Sequence, residues 1–92
     1  MSANAASVAQ AIETDLRLQL NPESLSLRDD SHLHVGHAGA REGGHFTVRL
    51  VAGCFAGRNR ETRHRLVYDA LGPLGARGIH ALVIEALAPG ES

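Results

Sequence analysis

The feature that most constrains this chain is the order of three hydrophobic periods in its second half. His45-Phe46-Thr47-Val48-Arg49-Leu50-Val51 alternates, with Phe46, Val48 and Leu50 on one side. Such a period-2 run is a strand with one buried face. Ile79-His80-Ala81-Leu82-Val83-Ile84-Glu85-Ala86-Leu87 is apolar on both sides over most of its length, as a covered central or parallel strand is. Between them, Leu66, Val67, Ala70 and Leu71 recur at helical spacing. Two strands joined through a helix pair in parallel, with a right-handed crossover.

The first half completes the sheet. Val8, Ile12, Leu16 and Leu20 recur every four residues with Ala11 beside them, while Asp15, Arg17 and Gln19 fall off the stripe: an amphipathic helix. Asn21-Pro22 ends it, because proline disfavours α geometry in the residue before it. Ser24-Leu25-Ser26-Leu27-Arg28 alternates and reads as a half-buried strand, antiparallel to the one starting at His45. The second helix begins at about Asn59, capped by Asn59 or Thr62, with Glu61 at the positive end of its dipole; Gly72-Pro73 ends or kinks it. The expectation is one α+β domain of order αββαβ, a small mixed three-stranded sheet with its helices on one face. Residues 1–6 are expected to be a frayed tail, 7–88 the domain and 89–92 a second tail.

Composition limits what such a domain can do. Ninety-two residues make one domain, and 43% hydrophobic residues suffice for one modest core. Such a small domain buries only about 60–65% of its unfolded surface, so a ligand or partner can matter to its stability. Nine basic and ten acidic residues leave a charge of -1, which argues against whole-surface attraction to nucleic acid or anionic membrane. All nine basic residues are arginine. The single cysteine excludes an intrachain disulfide and a four-cysteine metal site, and fits a reducing, cytoplasmic setting. The N-terminus lacks the basic and apolar regions of a secretory signal, and no apolar run approaches the ~20 residues of a membrane span. The isolated protein is expected to be a monomer or weak dimer.

Histidine is the anomaly, six in all, three of them in His32-Leu33-His34-Val35-Gly36-His37. This segment lies in a glycine-rich stretch from Asp29 to Gly44 that has no sustained period and reads as a long loop; long ordered loops tend to be functional. Imidazoles are good ligands for zinc and iron, and His32 and His34 point the same way in an extended segment. They serve equally as solvated loop residues, and the superficial echo of an HxHxDH metal motif fails because Gly36 stands at the aspartate position. By alternation His80 shares the face of Leu82 and Ile84, which fits either a satisfied core histidine or a ligand at the sheet's edge beside the loop. Arg58-Asn59-Arg60-Glu61-Thr62-Arg63-His64-Arg65 starts a helix with four arginines and one acid. It is either a solvated face or a grip for phosphate or carboxylate through bidentate bonds. With only Phe46, Phe55 and Tyr68, the chain offers no aromatic platform for base stacking. Cys54 reads as a small semi-buried residue, and Tyr68 as packed or hydrogen-bonded. No nucleophile–base pair is legible, so no enzyme is expected.

Over roughly Ile12 to Glu91 the sequence resembles the BolA family. The resemblance is carried by Phe55-x-Gly57, by Arg63-His64-Arg65-x-Val67-Tyr68, by Ile79-His80-Ala81-Leu82 and by the Asp29–Gly39 segment. It implies an αββαβ fold related to class II KH domains. It further implies a [2Fe-2S] cluster shared with a monothiol glutaredoxin, to which the glutaredoxin gives a cysteine and bound glutathione a second thiolate. The family's C-terminal histidine ligand matches His80. The second ligand comes from the loop: His34 is the best match, then His37 and His32, with His45 at the strand start a further candidate. Histidine ligation of one iron raises the cluster potential relative to all-cysteine ligation, and makes the complex pH-sensitive because protonated imidazole binds no metal. The implied role is an adaptor that holds a cluster and hands it on, with Arg63, Arg65 and the C-terminal strand facing the glutaredoxin. The alternative is a DNA-binding transcriptional regulator using Arg58, Arg60, Arg63, His64 and Arg65. Gly53 and Gly57 do not reproduce the GxxG clamp of KH domains, and Gly72-Pro73-Leu74-Gly75 departs from the family's longer helix.

Overall fold

The computed structural model describes residues 5–30 and 44–91. Helix α1 spans Ala5–Leu20, strand β1 Ser24–Asp29, strand β2 Gly44–Val51, helix α2 Arg60–Leu71 and strand β3 Ile79–Leu87. Two 3₁₀ turns, Gly53–Phe55 and Gly75–Arg77, lie on either side of α2 and were not legible as elements.

α1 buries Ile12 and Leu16 completely, with Val8 and Leu20 packed at the margin, as the four-residue spacing requires. Its end is set by Asn21, at φ 48°, whose amide donates to the Arg17 carbonyl at 3.1 Å. Asparagine tolerates this left-handed conformation and so closes the helix just before Pro22. α2 starts as expected: the Asn59 side chain accepts from the Thr62 amide at 2.8 Å. It stops at Gly72, whose φ of 72° suits glycine and whose amide returns to the Tyr68 carbonyl at 2.9 Å. Val67 and Leu71 are buried, while Leu66 and Ala70 pack against the core from its edge. Arg77 ties the end of α2 to α1, donating to the Leu71 carbonyl and pairing with Asp15.

The sheet order is β1-β2-β3, with β1 antiparallel and β3 parallel to β2. The register aligns Leu27, Val48 and Ile84 across the three strands, and Leu25, Leu50 and Ala86 beside them. With Phe46 these form the face that packs against α1 and α2, and Phe46, Val48 and Leu50 are at most 1% exposed. The other face carries Ser26, Arg49 and Glu85 in one row and Arg28, Thr47 and Val83 in the next.

The apolar character of β3 misleads about its position. β3 is parallel, as read, but it is an edge strand, and β2 is central. The helices cover only one face, so Val83 on the other is 61% exposed. Residues read as a C-terminal tail fold back: Glu91 is held against α2 and the Ala88 amide.

Candidate metal centre and basic helix face

The candidate metal centre is built by an irregularity in strand pairing. Gly44 pairs with Ile79, but His45 pairs with Ala81, so β3 carries one extra residue at this point, and that residue is His80. A bulge of this kind breaks the period-2 alternation and re-aims a side chain. Ile79 therefore turns into the core, at 3% exposed, while His80 is exposed. This corrects the expectation that His80 shares the face of Leu82 and Ile84 as a possible core histidine. The imidazole instead lies beside that of His45, with ring centroids 5.1 Å apart and planes inclined by 49°.

The same corner anchors both ends of the loop. The Asp30 amide donates to the His45 carbonyl, and the Gly44 amide to the Gly78 carbonyl, each at 2.7 Å. The Asp30 carboxylate also accepts from Arg28 Nε and from Thr47 Oγ1, each at 2.6 Å. Arg28, Asp30 and Thr47 thus brace the start of the loop beside the histidine pair. Sequence reading missed this brace, because the partnership of Thr47 with Arg28 and Asp30 exists only once the β1–β2 register is known. His32, His34 and His37 lie outside the described residues. Among the described residues no three histidine, cysteine, aspartate or glutamate side chains converge on one point. The described corner contributes a pair of imidazoles.

The arginine-rich segment divides into two groups. Arg63 is turned inward: its side chain is 13% exposed, it donates to the Ala86 carbonyl at 3.1 Å, and it grips both Glu91 oxygens at 2.6 and 3.0 Å. Its Nε donates to the Arg58 carbonyl at 2.8 Å. This guanidinium, offered by the sequence to phosphate or partner, is engaged within the fold. The Arg63 bond, aided by the Ala88 amide, pulls the Glu91 carboxyl down to about 2. Nothing in the spacing of Arg63 and Glu91 signals this pair.

Arg58, Arg60 and Arg65 stay exposed. Arg58 Nε donates to the Cys54 carbonyl at 3.0 Å, and Arg65 meets Glu61 one turn earlier at 3.5 Å. His64 is half-buried between them, and its pKa is lowered, first by burial and then by the neighbouring Arg60 charge. Cys54 is exposed rather than semi-buried, because the 3₁₀ turn sends Phe55 into the core and leaves the thiol outside near the Leu20 carbonyl. Gly57, at φ 74°, supplies the left-handed turn that brings the chain from Phe55 to the cap of α2, which explains the Phe55-x-Gly57 spacing. Among the described residues no helix is long and apolar enough to cross a membrane.

Comparison with known proteins agrees with this architecture. The family model described as BolA-like protein matches residues 16–91. A protein in the cobS 5' region of a Sinorhizobium species is 41% identical, over 92% of this chain and 95% of that protein. Mouse BolA-like protein 1 is 41% identical over 98% of this chain, which spans 64% of its length. The Arabidopsis thaliana SufE-like protein 1, of chloroplast and mitochondrion, is 38% identical over 87% of this chain, which spans only 23% of that longer protein. The solved BolA domain of Arabidopsis SufE1 superposes with a TM-score of 0.79 at 36% identity, covering 99% of this chain and 100% of that one. Matched along most of its length in sequence and throughout in fold, the chain belongs to the BolA-like family.

Proposed function

We propose that this protein is an adaptor in iron–sulfur cluster trafficking, which shares a [2Fe-2S] cluster with a monothiol glutaredoxin and its bound glutathione in a reducing compartment. The observation that carries the reading is the His45–His80 pair at a bulge beside both roots of the histidine-rich loop, with His80 exposed and His45 half-buried. The donors fit the group: neutral imidazoles suit iron, and an edge-strand corner leaves room for a partner to complete the coordination. His80 is the ligand assigned first, with His34, His37, His32 or His45 as the second. The cluster is cargo, and no substrate is transformed by the chain. The name of the plant SufE-like relative, which contains a BolA domain, points the same way.

The test is an anaerobic titration of cluster-loaded monothiol glutaredoxin and glutathione with this protein, followed by visible absorption and circular dichroism. A new spectrum saturating at equimolar protein, lost in His80→Ala, is the expected result. An unchanged spectrum with the wild-type chain overturns the reading.

A second reading, DNA-binding regulation, is favoured by a Haemophilus influenzae relative named as a DNA-binding transcriptional regulator, 29% identical over 92% of this chain and 81% of that protein. It draws on the exposed Arg58, Arg60 and Arg65 and requires binding with a steep salt slope that Arg60→Ala reduces.

A further inference from the structure

We infer that the outer edge of β1 is a self-association surface, on which a second copy of this chain adds its own β1 in antiparallel pairing about a two-fold axis at Ser26. β1 has a neighbour on its β2 side only. Its register runs from Ser24↔Val51 to Asp29↔Phe46, and the Asp30 amide continues it by donating to the His45 carbonyl. Backbone groups point to alternate sides along a strand. Ser24, Ser26 and Arg28 therefore turn theirs to β2, while Leu25 and Leu27 turn theirs outward. Among the described residues nothing bonds the outward amides and carbonyls of these two leucines. Such an edge is a template for another strand.

The two edges of the sheet differ in this respect. β3 is blunted twice, by the register slip at His80 and by Arg63, which occupies the Ala86 carbonyl. β1 has neither device: from Ser24 to Leu27 it carries no charge, no proline and no register slip.

The occupant is a second copy because Ser24-Leu25-Ser26-Leu27 is self-complementary. An axis at Ser26 sets Leu25 against Leu27 of the second copy, and the reverse, so the outward groups of all four leucines are bonded. The leucines then lie together on the core face, where each is half-buried, and the exposed serines together on the open face. A groove of about 490 Å³ beside this edge is lined by Leu27 and by Ala9, Glu13 and Arg17 of α1, and it receives Leu25 of the second copy. Its one acid and one base, 3.1 Å apart, make it neutral. The two-fold turns the acid of one wall towards the base of the other. β1 has only six residues, and the same register sets Glu23 against Asp29, so the association is weak. In the joined sheet each β3, with its His80, lies at an outer end. Self-association therefore leaves both histidine corners open and does not rest on the cluster reading.

The test is sedimentation equilibrium of the metal-free full chain from about 10 μM to about 1 mM. The mean mass is expected to rise from monomer towards dimer over this range, equally in His80→Ala. Ser26→Lys sets two like charges against each other at the axis and should weaken association about fivefold, as should Ser26→Glu. An equimolar mixture of these two variants should associate more tightly than either alone. Ser26 is exposed, so both variants should keep the thermal unfolding of the wild type. Concentration-dependent amide shifts should centre on Leu25 and Leu27. A chain still monomeric at about 1 mM would overturn the proposal and leave the edge to a strand of another protein. Association indifferent to Ser26→Lys, a mixture no tighter than its components, or shifts centred on β3 would each overturn it as well.

Discussion

β3 is held in opposite ways at its two ends. At Ala86–Glu91 a half-buried guanidinium fastens the strand: Arg63 bonds the Ala86 carbonyl and both oxygens of Glu91, and Glu91 accepts from the Ala88 amide at 2.9 Å. Phe55, completely buried, fills the core near that end. At Ile79–His80 the ladder slips by one residue and an imidazole is turned outward. The side-chain clamp lies at one end of β3 and the candidate chemistry at the other.

This contrast can be broken by experiment. The largest expected effect is at the clamped end. Phe55→Ala should cost about 3–5 kcal/mol in denaturant unfolding, a large share of the stability of so small a domain. If it costs less than about 1 kcal/mol, the core does not depend on this end. The histidine end should behave in reverse. His80→Ala should abolish the shared-cluster spectrum while changing unfolding free energy by no more than about 0.5 kcal/mol. His45→Ala resolves the corner further: loss of the spectrum makes His45 a ligand, whereas retention assigns the second position to the loop.

Acid sharpens the comparison. The Glu91 carboxyl ionises at about 2 in the fold, against 4.5 for the free group. Its contribution to stability is therefore complete above about pH 4.5 and is lost as pH falls towards about 2. Glu91→Gln should flatten that part of the profile of Tm against pH, and Arg63→Ala should lower Tm without changing the cluster spectrum. The smallest effect belongs to His64. Its lowered pKa means the unfolded chain binds the proton better, so stability should rise slightly as pH climbs through the window below about 6.5. His64→Gln should remove that slope.

Much of the fold was legible because it rests on local patterns. The stripe of Val8, Ile12, Leu16 and Leu20 faces the core, Asn59 caps α2, Gly72 ends it, and β3 runs from Ile79 to Leu87 as its apolar run suggests. The parallel pairing of β2 and β3 followed from the helix between them. The candidate site was legible only as a set of residue types. His45 and His80 could be named, but alternation assigned His80 to the wrong face, because a bulge depends on how two strands meet and not on either strand alone.

By itself, then, the sequence determined the elements, their order and the core-facing side chains, since helical and strand periods are properties of short stretches of chain. The family motifs lie in those same stretches. Tertiary structure alone decided that β3 is an edge strand, that Arg63 is engaged by Ala86 and Glu91, that Arg28, Asp30 and Thr47 brace the loop root, and that His80 stands beside His45. Each of these joins residues far apart in the chain, and the register that brings them together is set by the packing of the whole sheet against its two helices.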